Sequence, residues 1–382
     1  MKRIGVVTVA RSDYGILRPL LRRIDASGEL ELLLFVSGTH LVREHGLTVE
    51  EIEFPIAARV ELYAGSDEPA EVAASIAHGV EGFAHAYAHA RPDLLVLLGD
   101  RFEMLAAAVA ALPFRIPLAH VHGGESSEGA FDESIRHALT KLSHLHFASA
   151  EPHARRLVQL GEEPWRVIVS GAPGLDAIGE LEPLDDAELS QRLGTRLNGP
   201  TLLVTYHAAT LDPQDAATRA RQLLDAVAAS GLSAVFTYPN ADPGGNAIRA
   251  LIDDFVRERD DARAVASLGS DAYFALMRRA SAMVGNSSSG IIEAPSFGLP
   301  VVNVGIRQQG RLRARNVIDV ADDSASILDG IRRALSPEFR ASLAGLENPY
   351  GDGGASERIV RRLEQVELGP RLLQKRFHED DG

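Results

Sequence analysis

Asp100, Glu125 and Asp132, together with His122, Arg101 and Arg136, are the residues of this chain best suited to moving protons beside an anion. Carboxylates and imidazoles give and take protons near neutral pH, and guanidinium groups anchor negative charge. Two apolar runs deliver them. Leu94-Leu95-Val96-Leu97-Leu98 stops at Gly99-Asp100-Arg101, and a second run ends in His120-Val121-His122-Gly123-Gly124-Glu125. Short continuous apolar runs bounded by glycine read as buried strands of a parallel sheet. Polar residues at the carboxyl ends of such strands line the crevice where α/β proteins bind ligands. Asp132 then opens a helix, with Arg136 one turn later on the same face. Helix capping is the bland alternative for Asp100 and Asp132. It accounts for neither Glu125 nor the paired arginines.

A second group suits a phosphate. Gly285-Asn286-Ser287-Ser288-Ser289-Gly290 follows an apolar run and opens a helix predicted over Ile291 to Ser296. Small hydroxyl residues at a helix start offer N–H and O–H donors where the dipole favours an anion. Glu293, about a turn in, is placed to accept from ribose hydroxyls, and Arg307 and His207 end neighbouring strands on the same rim. An N-capped helix without a ligand is the alternative. Arg11, in the first strand-to-helix loop, is a candidate phosphate contact. Arg307, Arg311, Arg313 and Arg315 form a local basic cluster able to grip an anionic substrate.

Behind these residues, strand and helix patterns alternate along the chain, which predicts doubly wound parallel sheets. Ile4 to Val9 and Leu30 to Val36 read as strands, Val60 to Tyr63 as a possible short one, and Glu71 to Ala90 as a long helix. The pattern breaks between about Leu175 and Pro200, and a second α/β series begins at Leu202. The expected division is a Rossmann-like N-terminal domain over residues 1–174, carrying the acid/base rim, and a Rossmann-like nucleotide-binding domain over 175–354. The last helix, about 355–376, is expected to cross back onto the first. Two rims facing each other across an interdomain cleft would suit a nucleotide-linked substrate.

Composition narrows the function. A formal net charge of −14 argues against nucleic acid as a partner, because nucleic-acid binders present basic surfaces. No cysteine is present, which removes disulfides and thiolate metal sites. His85 and His89 share a helix face but lack the intervening Glu of a zinc motif, and no metal is assigned. No apolar run approaches the roughly 20 residues that span a bilayer. No signal peptide is expected, and a cytoplasmic location is. The first strand-to-helix loop, Ala10-Arg11-Ser12-Asp13-Tyr14-Gly15, is not the glycine fingerprint of dinucleotide binding, so no cofactor is assigned.

These motifs, in order, resemble a known family. Arg11 to Gly15, Gly99 to Glu103, His120 to Glu125, Asp132 to His137, Gly285 to Gly290 and Gly305 to Arg311 look like the UDP-N-acetylglucosamine 2-epimerases. The hydrolysing branch of sialic-acid-type biosynthesis is the nearer match. The resemblance implies a two-domain, glycosyltransferase-B-like fold. It implies removal of the C2 proton, departure of UDP through a 2-acetamidoglucal, and addition of water to give N-acetylmannosamine and UDP. It matches Asp100, Glu125 and Asp132 to essential carboxylates, Arg136 and His207 to cleft residues, and Ser287, Ser288, Glu293, Arg307 and Arg11 to nucleotide contacts. A homodimer or homotetramer is also implied. Ser37 to Arg43 stands where non-hydrolysing members bind an activating second substrate, and its different sequence favours hydrolysis. The sugar is left open between N-acetylglucosamine and a 2,4-diacetamido sugar of the legionaminic type, carried on UDP or GDP. A glycosyltransferase of the same architecture and a silent sugar-nucleotide binder are the competing classes.

Overall fold

The structure is a computed structural model that describes residues 1–43, 46–62, 69–126, 131–180, 184–197, 199–208, 216–239, 244–265 and 268–379. Tyr63, expected at a strand end, and the acidic residues after 379, expected to be disordered, lie outside them. The chain divides into two compact units. One comprises Met1–Glu125, Asp132–Gly179 and Tyr350–Gly382, and the other Ser126–Phe131 and Glu180–Pro349.

The first unit is built on seven parallel strands. They are β1 (Lys2–Thr8), β2 (Leu30–Ser37), β3 (Ile56–Val60), β4 (Leu94–Leu98), β5 (Leu118–Val121), β6 (Leu145–Ala148) and β7 (Val167–Val169). Their order is β3-β2-β1-β4-β5-β6-β7. Helices α1 (Arg11–Asp25), α2 (Pro69–Ala90), α3 (Phe102–Ala111) and α4 (Asp132–Leu142) connect them. The run Leu94–Leu98 is wholly buried, as a strand covered on both faces must be. Each such leucine contributes about 1.5–3 kcal/mol by leaving water. The strand order reverses between β1 and β4, so the loops after β1, β4 and β5 meet at the switch point of the sheet. Gly99 N donates to Val121 O at 2.9 Å and His122 N to Phe147 O at 3.1 Å, which sets the ends of β4, β5 and β6 side by side.

The helix expected over about 355–376 is Ala355–Gln365, with a separate single turn at Pro370–Leu373; it belongs to this unit and packs Ile359, Val360 and Leu363 into its core. The Asp176 carboxylate caps it, accepting from Ala355 N at 2.9 Å and Ser356 N at 2.6 Å. Buried Arg166 donates to the carbonyls of Leu372 (2.8 Å), Arg371 (3.1 Å) and Gln374 (3.1 Å), and so holds the tail. Buried Glu162 gathers Lys141, His146 and Lys375 at 2.6–2.8 Å. Burial would raise its carboxyl, but these donors outweigh burial and hold it at about 2.

The second unit carries six parallel strands. They are β8 (Thr201–Thr205), β9 (Ser233–Thr237), β10 (Ala262–Val265), β11 (Ala282–Gly285), β12 (Val301–Val304) and β13 (Val317–Val320), in the order β10-β9-β8-β11-β12-β13. Here the order reverses between β8 and β11. Strand β13 is absent from the sequence expectation, because a short edge strand with exposed Asp319 carries little apolar signal. The stretch expected to be irregular from 175 to 200 holds two helices, Asp176–Glu180 and Asp186–Leu193. The latter is opened by a capping box between Asp185 and Glu188. No helix among the described residues is long and apolar enough to cross a membrane.

Candidate active site

The ends of β4 and β5 converge on Arg136, in the first turns of α4. Its guanidinium is 2% exposed, ion-pairs with Asp100, donates to His122 O at 3.1 Å and lies 4.0 Å from the Glu125 carboxylate. Burial works against its charge, but Asp100, Glu125, Glu133 and Asp132 outweigh it, and the guanidinium is held more firmly protonated than usual. Neither capping alternative describes these acids. Helix α3 takes Arg101 as its N-cap with no side-chain cap bond, and Asp132 is already the first residue inside α4. Arg101 is engaged elsewhere on the rim. It grips buried Glu103 through Nε and Nη2, at 3.3 and 3.1 Å.

Glu125 is 2% exposed and central to a hydrogen-bonded row. His122 Nδ1 and Ser149 Oγ both donate to its Oε1 at 2.5 Å, and His153 Nδ1 meets Ser149 Oγ at 2.9 Å. The turn that brings Glu125 here has unusual backbone. His122 has φ +65°, in the left-handed region, and Gly124 has φ +77°. A Cβ at Gly124 would stand 2.3 Å from His153 O, so only glycine lets the turn lie against that segment. Beneath the rim, His120 donates Nε2–H to Gly99 O at 2.7 Å, and its Nδ1 accepts from Thr140 Oγ1 at 3.3 Å. Burial lowers it to about 3, so it is a neutral clasp between strands.

Sequence reasoning quoted Asp13 in a motif but gave it no role. It is buried at the first turn of α1, and its Oδ2 has no hydrogen-bond partner among the described residues. Burial raises its carboxyl to about 6, opposed by Arg101 and reinforced by Glu103 and Asp100. A raised folded-state pKa stabilises the fold at low pH and is lost as pH climbs through about 6. Asp13→Asn is therefore expected to exceed wild type in stability by about 3 kcal/mol at pH 8 and to match it at pH 4. Thermal melts at the two pH values check this, and equal shifts at both would refute it. Arg11, the candidate phosphate contact one turn earlier, is partly exposed and pairs with Glu51 at 3.1 Å.

In the second unit, Asn286 organises the serine-rich loop. Its Oδ1 accepts from His207 N at 2.7 Å, and its Nδ2 donates to His207 O at 2.8 Å. Its own carbonyl accepts from Arg307 Nη1 at 3.1 Å and Gln308 Nε2 at 2.7 Å. One residue thus ties the ends of β8, β11 and β12. Burial, with Arg307 adding to it, keeps His207 neutral well below its ordinary range. Gly285 has φ +135°, and a Cβ there would lie 1.9 Å from Thr205 O, so glycine is required where β11 passes β8. The helix after the loop is shorter than expected. It is a single α turn, Ser289–Ile292, followed by a 3₁₀ turn, Ala294–Phe297, because Pro295 cannot continue the ladder. So short a helix has little dipole, and the donors for an anion are Ser287, Ser288 and the loop amides themselves. Glu293 is the residue between the two turns. Tyr273, from the preceding helix, stands beside Ser289, Thr205 and Ser287. Burial pushes its hydroxyl up to about 12, so it stays a neutral donor. Two of the four clustered arginines serve structure: Arg313 binds Asp319 at 3.0 Å, and Arg315 donates to Ala344 O at 2.8 Å. No group of three or more His, Asp or Glu suited to a metal occurs among the described residues.

The family model described as UDP-N-acetylglucosamine 2-epimerase matches residues 22–364. A UDP-N,N'-diacetylbacillosamine 2-epimerase (hydrolyzing) of Legionella pneumophila is 38% identical, over 98% of this chain and 99% of its own. A GDP/UDP-N,N'-diacetylbacillosamine 2-epimerase (hydrolyzing) of Campylobacter jejuni is 36% identical, over 98% of both chains. A solved structure of a Neisseria meningitidis UDP-GlcNAc 2-epimerase bound to UDP-GlcNAc superposes with a TM-score of 0.81 at 20% identity. That likeness covers 96% of this chain and all (100%) of the other, and it fixes the shared glycosyltransferase-B-like fold.

Proposed function

Since the chain belongs to the UDP-N-acetylglucosamine 2-epimerase family and is a hydrolysing nucleotide-sugar 2-epimerase, we propose that its substrate is a UDP-linked 2,4-diacetamido sugar of the diacetylbacillosamine type. The observation that carries the choice is full-length identity of 38% and 36% to two hydrolysing enzymes named for that sugar. It turns the reading away from N-acetylglucosamine, the first expectation from sequence, and toward the diacetamido alternative.

In this reading the first unit performs the sugar chemistry. One group takes the C2 proton while the C1–O bond breaks and UDP departs, leaving a glycal. Water then adds its hydroxyl to C1 and a proton returns to C2 from the opposite face. The sugar leaves as the free 2-epimer, and one proton is shed to solvent. Asp100, Glu125 and Asp132 are the carboxylates the reaction requires, and Arg136 fixes Asp100 and Glu125 in place. Close carboxylates separate their protonation states, which lets one accept a proton while another donates. In the second unit, Ser287, Ser288 and Arg307 hold the diphosphate, Glu293 the ribose, and His207 lies beside them as a neutral imidazole. Arg11 is assigned to the phosphate side. Preformed donors of this kind stabilise charge as it develops on a leaving diphosphate.

The test is an incubation in D2O with the UDP-linked diacetamido sugar, its GDP counterpart and UDP-N-acetylglucosamine, followed by NMR. The expected product is a free manno-configured diacetamido sugar with deuterium at C2, formed fastest from the UDP substrate. A higher kcat/KM on UDP-N-acetylglucosamine would reverse the substrate assignment. UDP release that needs an added acceptor would point to a transferase instead.

A further inference from the structure

Within the proposed reaction, we infer that His122 is the residue that takes the proton from C2, through Nε2, and that Glu125 acts by positioning it. This rests on the function proposed above. His122 is 7% exposed, and its Nε2 has no hydrogen-bond partner among the described residues. A buried ring nitrogen with nothing to bind is costly, and most buried histidines avoid it. His40 and His120, also buried, spend both nitrogens on protein partners; His146 likewise leaves Nδ1 unpartnered among the described residues, but its Nε2 is spent on Glu162, away from the acid rim. In His122 only Nδ1 is used, at 2.5 Å from Glu125 Oε1. That carboxylate also receives Ser149 Oγ–H and faces Arg136, so it accepts and Nδ1 carries the proton. In the neutral ring this tautomer leaves the lone pair on Nε2, the form a general base needs.

The backbone gives a second, independent reason. His122 holds φ +65°, a left-handed conformation that a non-glycine residue adopts at a cost of about 1–3 kcal/mol. Three attachments keep it there: His122 N on Phe147 O, His122 O under Arg136, and the ring on Glu125. Such strain collects at reacting groups, where the side chain must be aimed. Here the aimed side chain sits at the end of β5, at the switch point, beside the Arg136-bound carboxylate of Asp100.

The step balances. The C2–H bond breaks, and its proton joins Nε2. Its electron pair becomes the C1–C2 double bond, and the C1–O pair leaves on the diphosphate. The imidazolium formed is paired with Glu125, whose role is to fix the tautomer and receive that charge.

His122→Gly and His122→Asn test this, because both residues tolerate the left-handed backbone. Each is expected to lower kcat at least about 100-fold with UDP affinity unchanged. Added imidazole should restore turnover in His122→Gly, whose side-chain space is open, and not in His122→Asn. Glu125→Gln should lower kcat and leave KM where it is, as loss of positioning predicts. Turnover within about threefold of wild type in His122→Asn, or no response of His122→Gly to imidazole, would overturn the assignment. Failure of the wild type itself to release a free sugar would instead overturn the proposed function.

Discussion

Asp100→Asn, Glu125→Gln and Asp132→Asn are each expected to lower kcat by about two to four orders of magnitude while calorimetric UDP affinity stays unchanged. The substitutions keep shape and remove only charge and proton exchange. Their effects are expected to arise in different ways. Asp100 is ion-paired to Arg136, so its amide would leave a buried guanidinium short of a counter-charge. Glu125 lies one hydrogen bond from His122 and another from Ser149. Asp132 sits at the first position of α4, on the face that carries Arg136. Assays for UDP and for free sugar, run side by side, separate elimination from hydration. A variant that released UDP but accumulated a glycal would place its residue in the second half of the reaction. Full activity in any of the three would remove that residue from the catalytic set.

The second large effect is on folding. Arg136→Met is expected to destabilise the protein by about 3–5 kcal/mol, because removing one partner strands buried carboxylates without their counter-ion. Asp100 and Glu125 both lose their cation, and the His122 carbonyl loses a donor. Arg136→Lys keeps the charge, but an ammonium cannot reproduce the two-pronged fork that reaches Asp100 and His122 O at once. It should recover part of the stability and little of the turnover. Urea denaturation of the three proteins measures this, and an Arg136→Met midpoint equal to wild type would refute it.

How much of this was legible in the sequence follows from where the signal resides. Buried parallel strands announce themselves as apolar runs, so Leu94–Leu98 and its successor could be read directly, and with them the rim at their ends. The end of the long helix at Ala90 followed from periodicity in the same way. What depends on three-dimensional pairing was not visible. Nothing local distinguishes His122 from His120 two positions earlier, yet one binds a carboxylate and the other two strands. Asp13 reads as an ordinary first-turn acid, and only burial against Arg101 and Glu103 makes it unusual. Arg313 and Arg315 look like anion grips until Asp319 and the Ala344 carbonyl are seen to occupy them. The helix beyond the serine loop is shorter than its apolar pattern because Pro295 ends the hydrogen-bond ladder.

One feature of the first unit bears on how the chain is made. Its core is finished by Ile359, Val360 and Leu363, and Lys2 reaches the carbonyls of Leu363 and Val366. During synthesis the opening strands leave the ribosome first, yet the helix that covers them is translated after the whole second unit. The early segment must wait with an apolar flank open to chaperones or to neighbouring chains. Its completion is a ring closure between segments 361 residues apart in sequence, and a fragment stopped near Gly179 would never reach it.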